Sequence, residues 1–348
     1  MFKKILYVIG IAIFIFIAVG LFLPRQVHVE RSSLVQRPVS TVYVLLNGFR
    51  TWAQWSPWAA RDPAIQVRFH GPESGVGAGM SWSGDPRLVG DGMQEVIEVT
   101  DNRLVRVRME VSQQGLAEST FRMEPVPEGT RLTWAFDSDL AEGQGFFGGL
   151  LARYFGLFFD QWIGSDFEQG LANFSQFAES LPATDFSSLD VELVMVQPLD
   201  ILYVPASSPQ APGDIALSLA NAYSEIGRFM ADNEVAMIAQ PMAITRGWDE
   251  EGYSFDAAIP VEIPEGHEWP LGEGMVRLGE SPAGQAVRVI HRGSYAEMAP
   301  SYEKLAAYMA VHGLVEGNVS WEHYISDPGD TAEQDLVTHI YFLVASDD

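Results

Sequence analysis

The chain has 348 residues, of which 47% are hydrophobic and 19% charged, and it contains no cysteine. That length fits about two domains, the apolar content excludes a disordered polyelectrolyte, and the missing thiols exclude disulfide frameworks, thiolate metal sites and cysteine nucleophiles. With 21 basic against 46 acidic side chains the net charge is −25, which argues against nucleic acid, because phosphate backbones are bound by neutralising them with Lys and Arg.

Ile5 to Leu23 carries no charge, and as a helix it would be about 28 Å long, close to the thickness of a bilayer's hydrocarbon core. Residues 1–25 are therefore read as a single transmembrane signal anchor spanning at residues 5–23. Lys3 and Lys4 precede it, and the positive-inside rule keeps such a flank in the cytoplasm. The remainder is then placed on the periplasmic side of an inner membrane. A cleaved signal peptide is the rival, but the run ends in Gly20-Leu21-Phe22-Leu23-Pro24-Arg25 rather than in a small-x-small site.

Short alternating runs follow. Strands are expected at 27–31, 65–69, 79–83, 93–99, 104–111, 119–123 and 131–136, with a helix from Pro38 to Gly48. Phe146 to Ser180 then contains no proline and reads as one long helix rich in Phe, Leu and Trp. It is expected to pack across an antiparallel sheet, with a second contact on a membrane surface as the alternative use of its apolar face. The order of these elements, together with Phe49-Arg50-Thr51-Trp52-Ala53-Gln54-Trp55-Ser56-Pro57-Trp58, Gly71-Pro72 and Gly75-Val76-Gly77-Ala78, resembles the START-like, polyketide-cyclase (SRPBCC) superfamily. The resemblance implies a helix-grip α+β domain over 26–181 enclosing an apolar cavity. Trp52, Trp55 and Trp58 are spaced as packed helical turns.

A polar linker at 182–189 leads into a half, 190–348, that holds 6 basic and 26 acidic side chains and repeats itself. Laying Tyr223 on Tyr302 also lays Ile226 on Leu305, Phe229 on Tyr308, Met230 on Met309, Ala231 on Ala310 and Val235 on Leu314, at a common offset of 79. Strands are expected at 193–204, 237–245 and 254–261 around the first helix and at 285–291, 319–326 and 336–344 around the second. That is a duplicated βαββ unit, whose sheets would join into a concave surface with both helices behind it. His291-Arg292-Gly293-Ser294-Tyr295, the stretch Tyr302 to Leu314, and Trp321-Glu322-His323-Tyr324 resemble the GyrI-like effector-binding family. That resemblance implies a cleft for hydrophobic, often cationic, small molecules with Glu322 pointing into it, and the two resemblances together imply a hydrophobic, cationic or lipid-like ligand. Tyr324, Tyr295 and Tyr302 are its companions as ligand-binding residues. Strand alternation independently puts Glu322 and Tyr324 on one face and Trp321 and His323 on the other.

A carboxylate in an aromatic cleft can pair with a cation or, with a raised pKa, exchange a proton. Binding is the preferred reading; the alternative is a hydrolase with Glu322 and Tyr324 as acid–base residues. A scaffold whose cavities are filled by its own side chains is a third class. The seven histidines, His28, His70, His267, His291, His312, His323 and His339, show no metal-ligand spacing, and no cofactor or metal is expected.

Overall fold

The computed structural model describes residues 2–111, 115–263 and 275–345, so His267 and the last three residues of the 190–348 half lie outside the described residues. The chain divides into two compact units, Met1–Asp185 and Phe186–Asp348.

The first unit opens with helix α1 (Phe2–Phe22), long and apolar enough to cross a membrane. After β1 (Gln26–Val35) come three short helices, the one expected from Pro38 and two more where the tryptophans are spaced as helical turns: α2 (Val39–Leu46), α3 (Trp52–Trp55) and α4 (Pro57–Arg61). The third is separate because Ser56 caps α4, its side chain accepting from the Ala59 N–H, with Pro57 at the first helical position. Six strands follow: β2 (Gln66–His70), β3 (Gly79–Ser83), β4 (Asp91–Thr100), β5 (Leu104–Val111), β6 (Gly115–Val126) and β7 (Gly129–Asp139). They form a seven-stranded antiparallel sheet in the order β1-β7-β6-β5-β4-β3-β2. The turn into β7 needs Gly129, whose φ is +141° and whose missing Cβ would sit 2.2 Å from the Val35 carbonyl oxygen.

Helix α5 (Phe146–Ser180) closes the unit. Its C-terminal half buries Gly164, Phe167, Leu171, Phe174 and Ala178, alternately three and four residues apart and hence on one stripe. Trp134 of β7 stacks on Phe167 at 4.1 Å, Trp55 and Trp58 meet Trp134 edge-on at 5.8 Å, and Trp55 meets Phe174 at 5.5 Å. Trp52 is buried and stacks on Trp82 at 6.3 Å, so Trp52, Trp55 and Trp58 all pack against other aromatic side chains. Arg31 of β1 binds Asp160 and Glu168 of α5, tying the sheet's edge strand to the helix.

The second unit has the elements β8 (Val191–Val196), β9 (Asp200–Ser208), α6 (Pro212–Asp232), β10 (Met242–Asp249), β11 (Gly252–Pro260), β12 (Arg277–Glu280), β13 (Gly284–Arg292), α7 (Ala299–His312), β14 (Glu316–Tyr324) and β15 (Val337–Val344). Two expectations are corrected here. The stretch 193–204 is two strands, because Gln197-Pro198-Leu199 interrupts the ladder and Pro has no N–H to donate. The next strand starts at Met242 rather than at Met237, which makes only an isolated bridge to Val261.

Each repeat is therefore ββαββ, and all eight strands form one sheet, β12-β9-β11-β10-β14-β15-β13-β8. The repeats exchange their leading strands: β8 pairs with β13 of the second repeat, and β12 pairs with β9 of the first. The equivalent residues Ile226 and Leu305 are both fully buried under α6 and α7. Gly313, in the left-handed conformation at φ +67°, ends α7.

Candidate functional site

The two repeats meet where β10 pairs with β14. There Ala243 lies opposite Glu322, and these positions differ by 79, the offset that lays Tyr223 on Tyr302. The pseudo-twofold axis of the duplication therefore passes through this pair. Reading across the sheet, Val204, Ala257, Ala243, Glu322, Ile340 and Val289 are successive cross-strand neighbours. Paired residues share a face, so Glu322 is the only charged group in a row that is otherwise small and apolar.

That row faces the helices. Ala257 belongs to the cluster under Ile226 of α6, and Ile340 to the cluster under Leu305 of α7. The expectation of helices behind the binding surface is thus corrected: Glu322 and Tyr324 stand on the helix-bearing face, between α6 and α7. The opposite face carries Trp321, stacked on Tyr341 at 4.9 Å, together with Met242 and Ile244. His323 is also there, paired with His339, and burial followed by the neighbouring His339 holds its imidazole down to about 4.

The structure brings all four sequence-chosen residues together. Tyr302 of α7 donates its hydroxyl hydrogen bond to Glu322 Oε1, and Tyr324 donates to Oε2 at 2.6 Å. Tyr295, in a short 3-10 turn (Tyr295–Glu297), meets the Tyr324 ring edge-on at 5.5 Å. Two tyrosines passed over in the sequence complete the ring. Tyr223 of α6 donates to the Met242 carbonyl at 2.8 Å, and Tyr253 of β11 bonds Thr245 at 3.4 Å. The repeat itself pointed to Tyr223, as the partner of Tyr302.

Burial raises the half-buried Glu322 carboxyl above the usual carboxylate range, opposed by the two phenol hydrogen bonds and by His291. Burial and then the Glu322 charge push the phenols of Tyr223, Tyr253, Tyr295, Tyr302 and Tyr324 upward. Among the described residues no Lys or Arg forms an ion pair with Glu322. His291 is instead held by Ser301 Oγ at 3.0 Å and by the Ser294 carbonyl at 3.1 Å. Thr338, directly opposite Tyr324, is fully buried and its hydroxyl has no hydrogen-bond partner. Among the described residues no group of three or more His, Cys, Asp or Glu side chains is placed to hold a metal ion.

Family models match both units: residues 26–179 match the family described as polyketide cyclase/dehydrase and lipid transport, and residues 190–345 match the GyrI-like small molecule binding domain. The chain joins a polyketide cyclase/dehydrase-type domain to a GyrI-like domain. Both are small-molecule-binding types. A search of the curated proteins returns no match. Among solved structures, a hydrolase from Listeria innocua is 13% identical, with 46% of this chain aligned to 95% of that one at a TM-score of 0.34. The EcmrR C-terminal domain is 19% identical, with coverages of 46% and 99% and a TM-score of 0.39. A protein of unknown function from Staphylococcus aureus is 14% identical, with coverages of 44% and 94% and a TM-score of 0.37.

In the polyketide cyclase-type domain, the space between the sheet and the C-terminal half of α5 is occupied by the Trp55, Trp58, Trp134, Phe167 and Phe174 rings. Two concavities of this domain lie elsewhere. One of about 220 Å³ is lined by Phe49, His70 and Pro72, and one of about 380 Å³ by His28, Arg108 and Asp137. In the GyrI-like domain a carboxylate and several tyrosine side chains converge.

Proposed function

We propose that this chain is a membrane-anchored binding protein whose GyrI-like domain captures or senses a hydrophobic, cationic small molecule, with Glu322 as counter-ion. The carrying observation is a carboxylate on the pseudo-twofold axis, ringed by five tyrosines and paired with no Lys or Arg among the described residues. A carboxylate partly removed from water loses hydration that its two phenol donors only partly replace, and a bound cation would restore the balance. Tyrosine faces attract the same cation through their quadrupoles. Tyr302 and Tyr324 orient the carboxylate, Tyr295 flanks it, and Thr338 offers an unused hydroxyl. In this reading residues 1–25 are a single-pass anchor in the inner membrane, 26–181 and 190–348 are the two domains joined by the linker 182–189, and both domains face the periplasm. The acidic surface supports attraction of cations and disfavours nucleic acid.

A second reading rests on the raised Glu322 carboxyl beside the Tyr324 hydroxyl, which is the pairing that acid–base hydrolysis of a small hydrophobic compound would use. Calorimetry with tetraphenylphosphonium and a neutral isostere separates the two. Under the binding reading, Glu322→Gln weakens the cation by tenfold or more, about 1.4 kcal/mol, and leaves the neutral compound unchanged. Equal affinity of wild type and Glu322→Gln for the cation would refute it. Wild-type turnover of a hydrophobic ester or strained-ring panel that Glu322→Gln abolishes would establish hydrolysis instead.

A further inference from the structure

The two halves of α5 differ. The C-terminal half is buried against the sheet, whereas in the first part only Gly149 and Leu150 are buried. Phe147, Leu151, Phe155, Phe158 and Trp162 are 49–71% exposed, and their spacing of 4, 4, 3 and 4 residues puts them on one helical stripe about 22 Å long. An exposed apolar patch of this extent marks an interaction surface.

The neighbouring helix identifies the partner. Tyr154 stacks on Phe16 of α1 at 4.4 Å and donates its hydroxyl to the Phe16 carbonyl at 2.6 Å. A Cβ on Gly20 would sit 2.6 Å from Leu150 and 2.8 Å from Tyr154, so the glycine permits this approach. Contacts run from Leu150 against Gly20 to Tyr154 against Phe16, so the helices run antiparallel. Phe16 precedes Leu23 by seven residues, which places Tyr154 about 10 Å below the end of the apolar segment. Arg153 reaches the other way and donates to the carbonyls of Leu21 at 2.8 Å and Leu23 at 3.2 Å. Those carbonyls at the helix end have no partner within the helix, and a long basic side chain at this level keeps its charge near the headgroups. In a chain with 46 acidic residues, the stretch 143–159 contains none, and Arg153 is its one charge.

We infer that the apolar stripe of α5 is immersed in the membrane leaflet that holds the C-terminal end of α1. The folded domain is then seated in the bilayer by two antiparallel helical surfaces rather than swinging on a tether. This inference rests on the reading of α1 as a retained anchor.

The absence of native cysteines gives a clean test. Full-length Phe155→Cys and, as a control in the β6–β7 turn far along β1 from α1, Glu128→Cys are labelled with the fluorophore NBD and reconstituted into phosphatidylcholine vesicles with or without doxyl-lipid quencher. The expected result is blue-shifted emission at 155, quenched at least twofold by the doxyl lipid, with water-like, unquenched emission at 128. A water-like signal at 155 in protein that resists a carbonate wash would overturn the inference while leaving the anchor intact. Blue-shifted emission at 155 that doxyl lipid does not quench would assign the stripe to a protein contact and overturn it equally. Recovery of the protein in the wash would refute the anchor reading itself.

Discussion

Replacing Tyr324 by Phe deletes one hydroxyl from the site and keeps the ring that meets Tyr295. The lost contact is the 2.6 Å bond to Glu322 Oε2, and hydrogen bonds to a charged group contribute about 1.5–3 kcal/mol against about 0.5–1.5 for neutral pairs. Above the titration range of Glu322 the variant is therefore expected to lose about 2 kcal/mol. In a unit of roughly 160 residues that lowers Tm by about 4–8 °C. Burial already raises the Glu322 carboxyl, so the stability supplied by its bound proton is fully present below the unfolded-state value and is lost as pH rises through the folded-state value. Removing a donor to the anion raises the folded-state value further, and the deficit of Tyr324→Phe relative to wild type grows with pH across that window. Thermal melts followed by circular dichroism at pH 4 and pH 8, in wild-type and Glu322→Gln backgrounds, test this. The deficit is expected to fall to about 1 kcal/mol at pH 4 and in the Gln background. An identical deficit at both pH values and in both backgrounds would show that Tyr324 does not stabilise an ionised Glu322.

Gly170→Ala sets about 1 kcal/mol of gained helix propensity against a Cβ placed 2.8 Å from the Trp134 ring and 3.3 Å from Pro57. Trp134 is pinned by Phe167, Trp55 and Trp58, and overpacking costs about 1–3 kcal/mol, so urea denaturation is expected to show a net loss of roughly 1 kcal/mol; a more stable variant would refute the packing described. His323 is held down to about 4 by burial and then by His339, so its stabilising contribution is present above the ordinary histidine range and is lost as pH falls toward 4. An NMR titration is expected to find the ring neutral at pH 6, and a midpoint near 6.5 would contradict the burial.

Much of this was legible because side-chain periodicity carries direct information. The proline-free run 146–180 is one helix, and the offset of 79 found the duplicated helices through Ile226 and Leu305, which must both be apolar to fill equivalent cores. The same offset held the clue to Tyr223. Strand exchange was not legible, because β8 and β12 are short edge strands whose partners lie 88 to 98 and 74 to 80 residues away in the chain, and local pattern does not encode which edge a strand joins. The face of Glu322 relative to the helices was likewise hidden, since alternation says which residues share a face but not which face is covered. The unequal halves of α5 escaped for the opposite reason: both are apolar, and only tertiary contact distinguishes a stripe that meets a sheet from one that does not.

The Ala243–Glu322 pair bears on how such a site could arise. Two identical copies of one repeat, assembled as a symmetric dimer, would place the same residue twice at the crossing of the axis. Either two carboxylates would face each other across neighbouring strands, with like charges directly opposed, or there would be none. Covalent linkage of the repeats releases that constraint: one copy keeps the acid, the other carries only a methyl group, and a symmetric frame acquires a single charge. Recognition of an unsymmetrical molecule thereby becomes available to a fold whose backbone remains almost its own mirror in rotation.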